Sequence, residues 1–86
     1  MYLNIGNHIL VRKSAIVGIF DLDNATWSRW TRDLLQQAER EGQVVNGALE
    51  DIPNAFLLCE ESGKQTVYLS ALTAPTLLRR VEESFL

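Results

Sequence analysis

An α+β domain with a small, mostly antiparallel sheet is what this sequence predicts, and three observations predict it. Short runs of apolar, β-branched and aromatic residues alternate with turn residues in the first quarter and again between Ala55 and Ser70. From Trp27 the apolar spacing switches to a helical period. A second helical stripe closes the chain after Pro75. With 86 residues there is room for a single domain, 1–86, since two halves would each be too short to bury a core.

Taken in order, Tyr2, Leu3 and Ile5 form a first short strand that ends at the turn residues Gly6-Asn7. His8 to Val11 follows as a second strand. Ala15 to Leu22 is apolar almost throughout, which suits a strand buried on both faces. Gly18 within it marks a bulge or a close backbone approach. Asn24 or Thr26 can cap the helix that follows. That helix is expected at about 27–41, with Trp27, Trp30, Leu34, Leu35 and Ala38 on one face and Gly42 in the left-handed position that ends it. Gln43 to Val45 reads as a short strand and Asn46 to Asn54 as a loop. Ala55–Glu60 and Thr66–Ser70 are two strands joined by the turn Ser62-Gly63-Lys64. Thr73 reads as the cap of a C-terminal helix at about 74–85, with Pro75 in its first turn. Its apolar stripe is Leu77, Leu78, Val81 and Phe85.

Composition narrows the function. Hydrophobic residues at 47% and charged residues at 22% are ordinary globular values, which argues against disorder. A net charge of −3 argues against a protein that coats DNA by bulk charge, while leaving room for a local basic patch. The single cysteine, Cys59, permits neither an intrachain disulfide nor a cysteine-built zinc site, and a lone thiol fits a reducing cytoplasm. The longest apolar run falls far short of the roughly 20 residues of a membrane helix. The opening MYLNIGNH lacks the features of a signal peptide. The expectation is a soluble cytoplasmic domain. Burial of only about 60–65% of the unfolded surface at this size makes oligomerisation a natural source of further burial.

Catalytic constellations are scarce. His8 and Cys59 are one of each kind, and a dyad would need distant parts of the sheet to meet. The five glycines are isolated, so no phosphate loop exists. Asp21 and Asp23, with Asp33 or Glu39, have the residue types to hold a divalent cation, but acids beside a positive helix N-terminus explain them equally well. No metal, cofactor or small-molecule substrate is expected, and the reading is non-enzymatic. Three small basic clusters remain: Arg12-Lys13, Arg29 with Arg32, and Arg79-Arg80. Arg29 and Arg32 lie about one helical turn apart and point the same way. Each cluster is modest alone, but an oligomer would repeat it into a basic track. Trp27 and Trp30 are either core or a subunit interface, and Phe85 near the chain end needs an apolar surface to dock on.

Three segments carry a resemblance: MYLNIGNHILVRKSAIVGIFDLD, QQAEREG, and VYLSALTAPTLLRRVEESF. Together they span nearly the whole chain, and it resembles the RemA/RemB family of small bacterial extracellular matrix regulatory proteins. The resemblance implies no enzymatic role. It implies a ring or other cyclic homo-oligomer and a transcription regulator of biofilm matrix genes that presents basic residues to DNA. RemA has arginines just before the strand corresponding to Ala55–Glu60, where this chain reads Glu50-Asp51-Ile52-Pro53-Asn54. The arginine preceding the IVGIF-like strand falls at Ala15 here. The loop before Trp27 is also longer than in RemA. Candidates for phosphate contact are therefore Arg12, Lys13, Arg29, Arg32, Arg79 and Arg80. Contact of that kind is largely independent of base sequence. The alternative is a protein-interaction module that does not bind DNA itself and works with a paralogue or another partner.

Overall fold

The computed structural model describes residues 1–22 and 28–83. Strands β1 (Tyr2–Asn4) and β2 (Leu10–Arg12) form an antiparallel hairpin, pairing Tyr2 with Arg12 and Asn4 with Leu10. A 3-10 turn, Lys13–Ala15, leads into β3 (Ile16–Asp21). Helix α1 (Arg29–Arg40) crosses to β4 (Val44–Asn46). Strands β5 (Ala55–Glu61) and β6 (Lys64–Ser70) form a second hairpin, and α2 (Ala74–Glu83) closes the described chain. The second sheet has the order β3-β5-β6-β4, antiparallel except that β4 runs parallel to β6.

The central strand is β5. Ala55 through Cys59 are all buried because both faces are covered. Ala55, Leu57 and Cys59 pack under the β1–β2 hairpin and α2, with Leu3, Ile5, Val11 and Leu77. Phe56 and Leu58 point the other way, into a second cluster with Ala38, Val67, Leu34 and Leu35 beneath α1. The molecule is thus three layers: hairpin with α2, sheet, and α1. Ser70 ties the first two together. Its buried hydroxyl donates to the Ile5 carbonyl at 2.7 Å and accepts from the Leu72 amide at 3.0 Å.

Several expectations need correction. Doubly buried character belongs to β5, while β3 is an edge strand with Val17 62% exposed. Its register shifts between Ile16 and Gly18, a bulge that turns Val17 outward. Gly18 also marks a close approach, since a Cβ there would lie 2.7 Å from the Phe20 ring. His8 does not begin a strand; Gly6, Asn7 and His8 all have positive φ and make the hairpin turn, so β2 starts at Leu10. The turn of the second hairpin is tighter than expected: Ser62 and Gly63 both have positive φ, the mirror-image two-residue geometry that matches strand twist, and the strands extend to Glu61 and Lys64. Helix α1 begins after its N-cap Ser28, Trp27 lying outside the described residues, and Gly42 ends it with φ +68° as expected. The proposed caps Asn24 and Thr26 lie outside the described residues. The buried face of α1 is centred on Thr31 and Ala38, one step round from Trp30, which is 55% exposed. On α2 the buried residues are Ala74 and Leu77, with Val81 half-buried, while Leu78 points to solvent. Thr73 caps α2, its hydroxyl accepting from the Thr76 amide at 3.4 Å. Among the described residues no helix is long and apolar enough to cross a membrane.

Candidate nucleic-acid interface

The six basic candidates divide between the two outer layers. Arg12, Lys13, Arg79 and Arg80 belong to the hairpin and α2, and Arg29 and Arg32 to α1.

In the first group local structure has already engaged three side chains. Val11 points inward on β2, so Arg12 points outward beside its cross-strand partner Tyr2, with the guanidinium 5.9 Å from the ring centroid. Its Nε also pairs with Glu61 Oε1 at 3.2 Å. The Tyr2 hydroxyl as hydrogen-bond acceptor, then the charge of Tyr2, then that of Glu61 hold Arg12 above its ordinary value. Lys13 Nζ donates to the Val81 carbonyl at 3.1 Å, in the last turn of α2. Arg80 Nη1 donates to the Asn4 carbonyl at 2.9 Å. Lys13 and Arg80 thus pin α2 to the hairpin, and only Arg79 stands wholly toward solvent without an ion pair among the described residues.

On α1 the geometry is more open. Arg29 Nε approaches Asp33 Oδ2 at 3.9 Å with its side chain 91% exposed, a contact worth little in solvent. Arg32 is exposed and makes no ion pair among the described residues. The helix holds both on its solvent side because Thr31 and Ala38 face the sheet.

The remaining candidates sort as follows. Trp27 and Phe85 lie outside the described residues. Trp30 meets Phe20 with centroids 5.7 Å apart at 53°, and Phe20 stacks on Phe56 at 4.9 Å. Trp30 therefore covers the core edge with one side of its ring and leaves the other exposed. His8 is exposed in the hairpin turn, whereas Cys59 is buried on β5 opposite Ile16 and Thr66. The two form no dyad. Asp23 lies outside the described residues, and among those described no group of three or more His, Cys, Asp or Glu could hold a metal.

Burial, and secondarily the charge of Glu61, pushes the Cys59 thiol up from 9.0 to about 11. The folded chain then keeps a proton that the unfolded chain releases. This contribution to stability is complete below about pH 9 and is lost as the pH rises to about 11. It amounts to at most about 3 kcal/mol. Urea unfolding at pH 8, 9, 10 and 11 should show stability falling across the upper interval, and falling less steeply in Cys59→Ala. Equal slopes in the two proteins would refute the assignment.

A groove that sequence reasoning did not single out lies at the Ala55 end of β5. Leu22, Leu35, Val44, Ile52, Pro53 and Leu69 line about 640 Å³, with Glu39 and Asn46 at its margin. Ile52 is 83% exposed and Leu49 61%. Glu50 and Asp51 lie between them, both exposed. The signal available in the sequence was an Ile beside two acids in a loop, which is unremarkable until the fold places a helix next to it.

The described residues form a three-layer α+β domain whose two outer layers each carry exposed arginines. Residues 2–81 match the RemA-like family, extracellular matrix regulatory protein A-like, and the chain belongs to that family. No curated protein matches the chain.

Proposed function

We propose that this chain is a RemB-type member of its family, a non-enzymatic cytoplasmic regulator of matrix genes that binds DNA as a cyclic homo-oligomer. The observation that carries the reading is the solvent face of α1, where Arg29 and Arg32 project and, among the described residues, only Arg29 has an ion pair, a weak one to Asp33. Arg79 and Arg80 are next in line. Arg12 and Lys13 are weaker candidates because both already hold partners within the subunit. The two basic groups lie on opposite faces of the sheet, so one copy offers no continuous track. Repetition around an oligomer supplies the multivalency that modest phosphate contacts need.

Fluorescence anisotropy of a labelled duplex, at about 50 and about 200 mM salt, tests this reading. Assemblies that neutralise 6–10 phosphates are expected to lose roughly 10³–10⁵ in affinity between these conditions. Replacing Arg29 and Arg32 together by Ala should weaken binding at the lower salt by at least about tenfold while leaving the assembled mass unchanged. Full affinity in the double variant removes the site. No binding by the wild type at the lower salt removes the DNA reading in favour of a protein partner.

A further inference from the structure

We infer that α1 enters the major groove of duplex DNA with Arg32 and Gln36 against base edges and Arg29 and Arg40 on the flanking phosphates, so that binding depends on base sequence. This rests on the DNA reading above and goes further, since phosphate contact alone is blind to sequence.

The helix carries a single row. Arg29, Arg32, Gln36 and Arg40 follow one another at spacings of three, four and four residues, and all four are exposed. At about 100° per residue they fall within an arc of roughly 80°. Thr31 and Ala38, which face the sheet, lie on the opposite side of the helix. The row therefore points outward from an outer layer of the domain. Arg32 and Arg40 make no ion pair among the described residues, and the contact from Arg29 to Asp33 at 3.9 Å is weak. Helix α2 offers no equivalent row. There Arg80 is bound to the Asn4 carbonyl, Leu78 stands exposed beside Arg79, and the next exposed residues are Glu82 and Glu83.

Length and residue type both fit the groove. Arg29 and Arg40 are separated by roughly 17 Å along the helix, at about 1.5 Å per residue. The major groove is about 12 Å wide and admits one α-helix. An obliquely seated α1 thus brings its two end arginines to opposite sugar–phosphate walls and leaves Arg32 and Gln36 between them over the bases. These two side chains have the patterns that read a base pair. Arg donates two N–H groups to O6 and N7 of guanine, and Gln bonds to N6 and N7 of adenine. Charge favours this arrangement over a purely electrostatic one. The three arginines of α1 against Asp33 and Glu39, which flank the row, leave one net positive charge on the helix. That is too little for strong attraction to phosphate by itself, so the sequence-blind part of the binding is small. Base contacts then supply most of the discrimination. Arg40 stands between two glutamates in the sequence, and only the helix places it in line with Arg29 and Arg32.

The experiment selects binders from a pool of duplexes randomised at the centre, then compares the anisotropy of the enriched duplex with that of the unselected pool at about 100 mM salt. The wild type is expected to enrich a duplex with a guanine and an adenine at fixed spacing, and to bind it about 100-fold more tightly than the pool. Gln36→Ala should lose the preference at the adenine. Gln36→Glu should exchange that adenine for cytosine, a result that no merely structural role for Gln36 produces. Arg32→Ala should lose the preference at the guanine. Arg40→Ala should weaken binding to every duplex by a similar factor and lower the salt dependence by about one ion per contacting subunit. All four changes fall at exposed positions and should leave the circular dichroism melt unchanged. A wild type that binds duplex without sequence preference overturns the inference and leaves the DNA reading standing. So does a preference that survives both Gln36→Ala and Arg32→Ala. No binding to any duplex of the pool overturns both.

Discussion

Phe56→Ala is expected to lower the free energy of unfolding by about 3–5 kcal/mol, enough to leave a domain of this size marginal or unfolded. Phe56 has no exposed surface and sits on the strand that is covered on both faces. Its ring stacks on Phe20, which in turn supports Trp30 at the start of α1. Truncation therefore removes the burial of a large side chain, opens a cavity, and withdraws the innermost ring of a three-ring column. Partial collapse is limited because Gly18 already lets the Phe20 ring lie against the backbone of β3. Urea unfolding monitored by tryptophan fluorescence measures the loss, with an unchanged dependence on denaturant showing that the folded state is otherwise intact. A loss below about 1.5 kcal/mol would mean that the site closes over the gap, and that the aromatic column contributes less than its burial implies.

What the sequence disclosed about the fold follows from which signals are local. Turns and caps are local, so Gly42, the Ser62–Gly63 turn and the Thr73 cap could be read directly. Burial is not local. The run from Ala15 to Leu22 and the run from Ala55 to Cys59 are similarly apolar, yet one is an edge strand and the other the centre of the sheet. Strand order decides that difference, and composition does not contain strand order. The same holds for Trp30. The helical period places it on the apolar arc, but the α1–sheet contact is centred on Thr31 and Ala38, so the ring stands at the margin. Of the candidate site, the basic residues were visible because charge is visible. Which of them are engaged was not, since the Lys13 bond to Val81 and the Arg80 bond to Asn4 span 68 and 76 residues. The groove escaped notice for a related reason: its walls come from Leu22 just after β3, from α1, β4 and β6, and from a loop that only the tertiary fold assembles.

Gly47→Ala is expected to cost about 2–3 kcal/mol. The reason is steric. A Cβ at Gly47 would lie 2.6 Å from the Leu69 carbonyl oxygen, and 3.2 and 3.3 Å from the Cδ1 atoms of Ile9 and Ile5. The isoleucine side chains can give way, but the carbonyl is backbone within β6 and cannot move without its strand. Two hydrogen bonds depend on the same position. The Gly47 amide donates to the Leu69 carbonyl at 2.9 Å, and its carbonyl accepts from Asn7 Nδ2 at 2.7 Å. The first continues the β4–β6 pairing toward the loop that carries Leu49 to Ile52; the second fastens the hairpin turn to the sheet. A methyl group at one residue thus pushes the groove loop and the hairpin apart together. Thermal unfolding should show a single transition at lower temperature, by roughly 8–20 °C for a domain of this length. Hydrogen exchange should rise first at Asn7, Ala48 and Asp51, before the β5–β6 pairing opens. An unchanged melting temperature would mean that β6 shifts to make room for the methyl group at no cost.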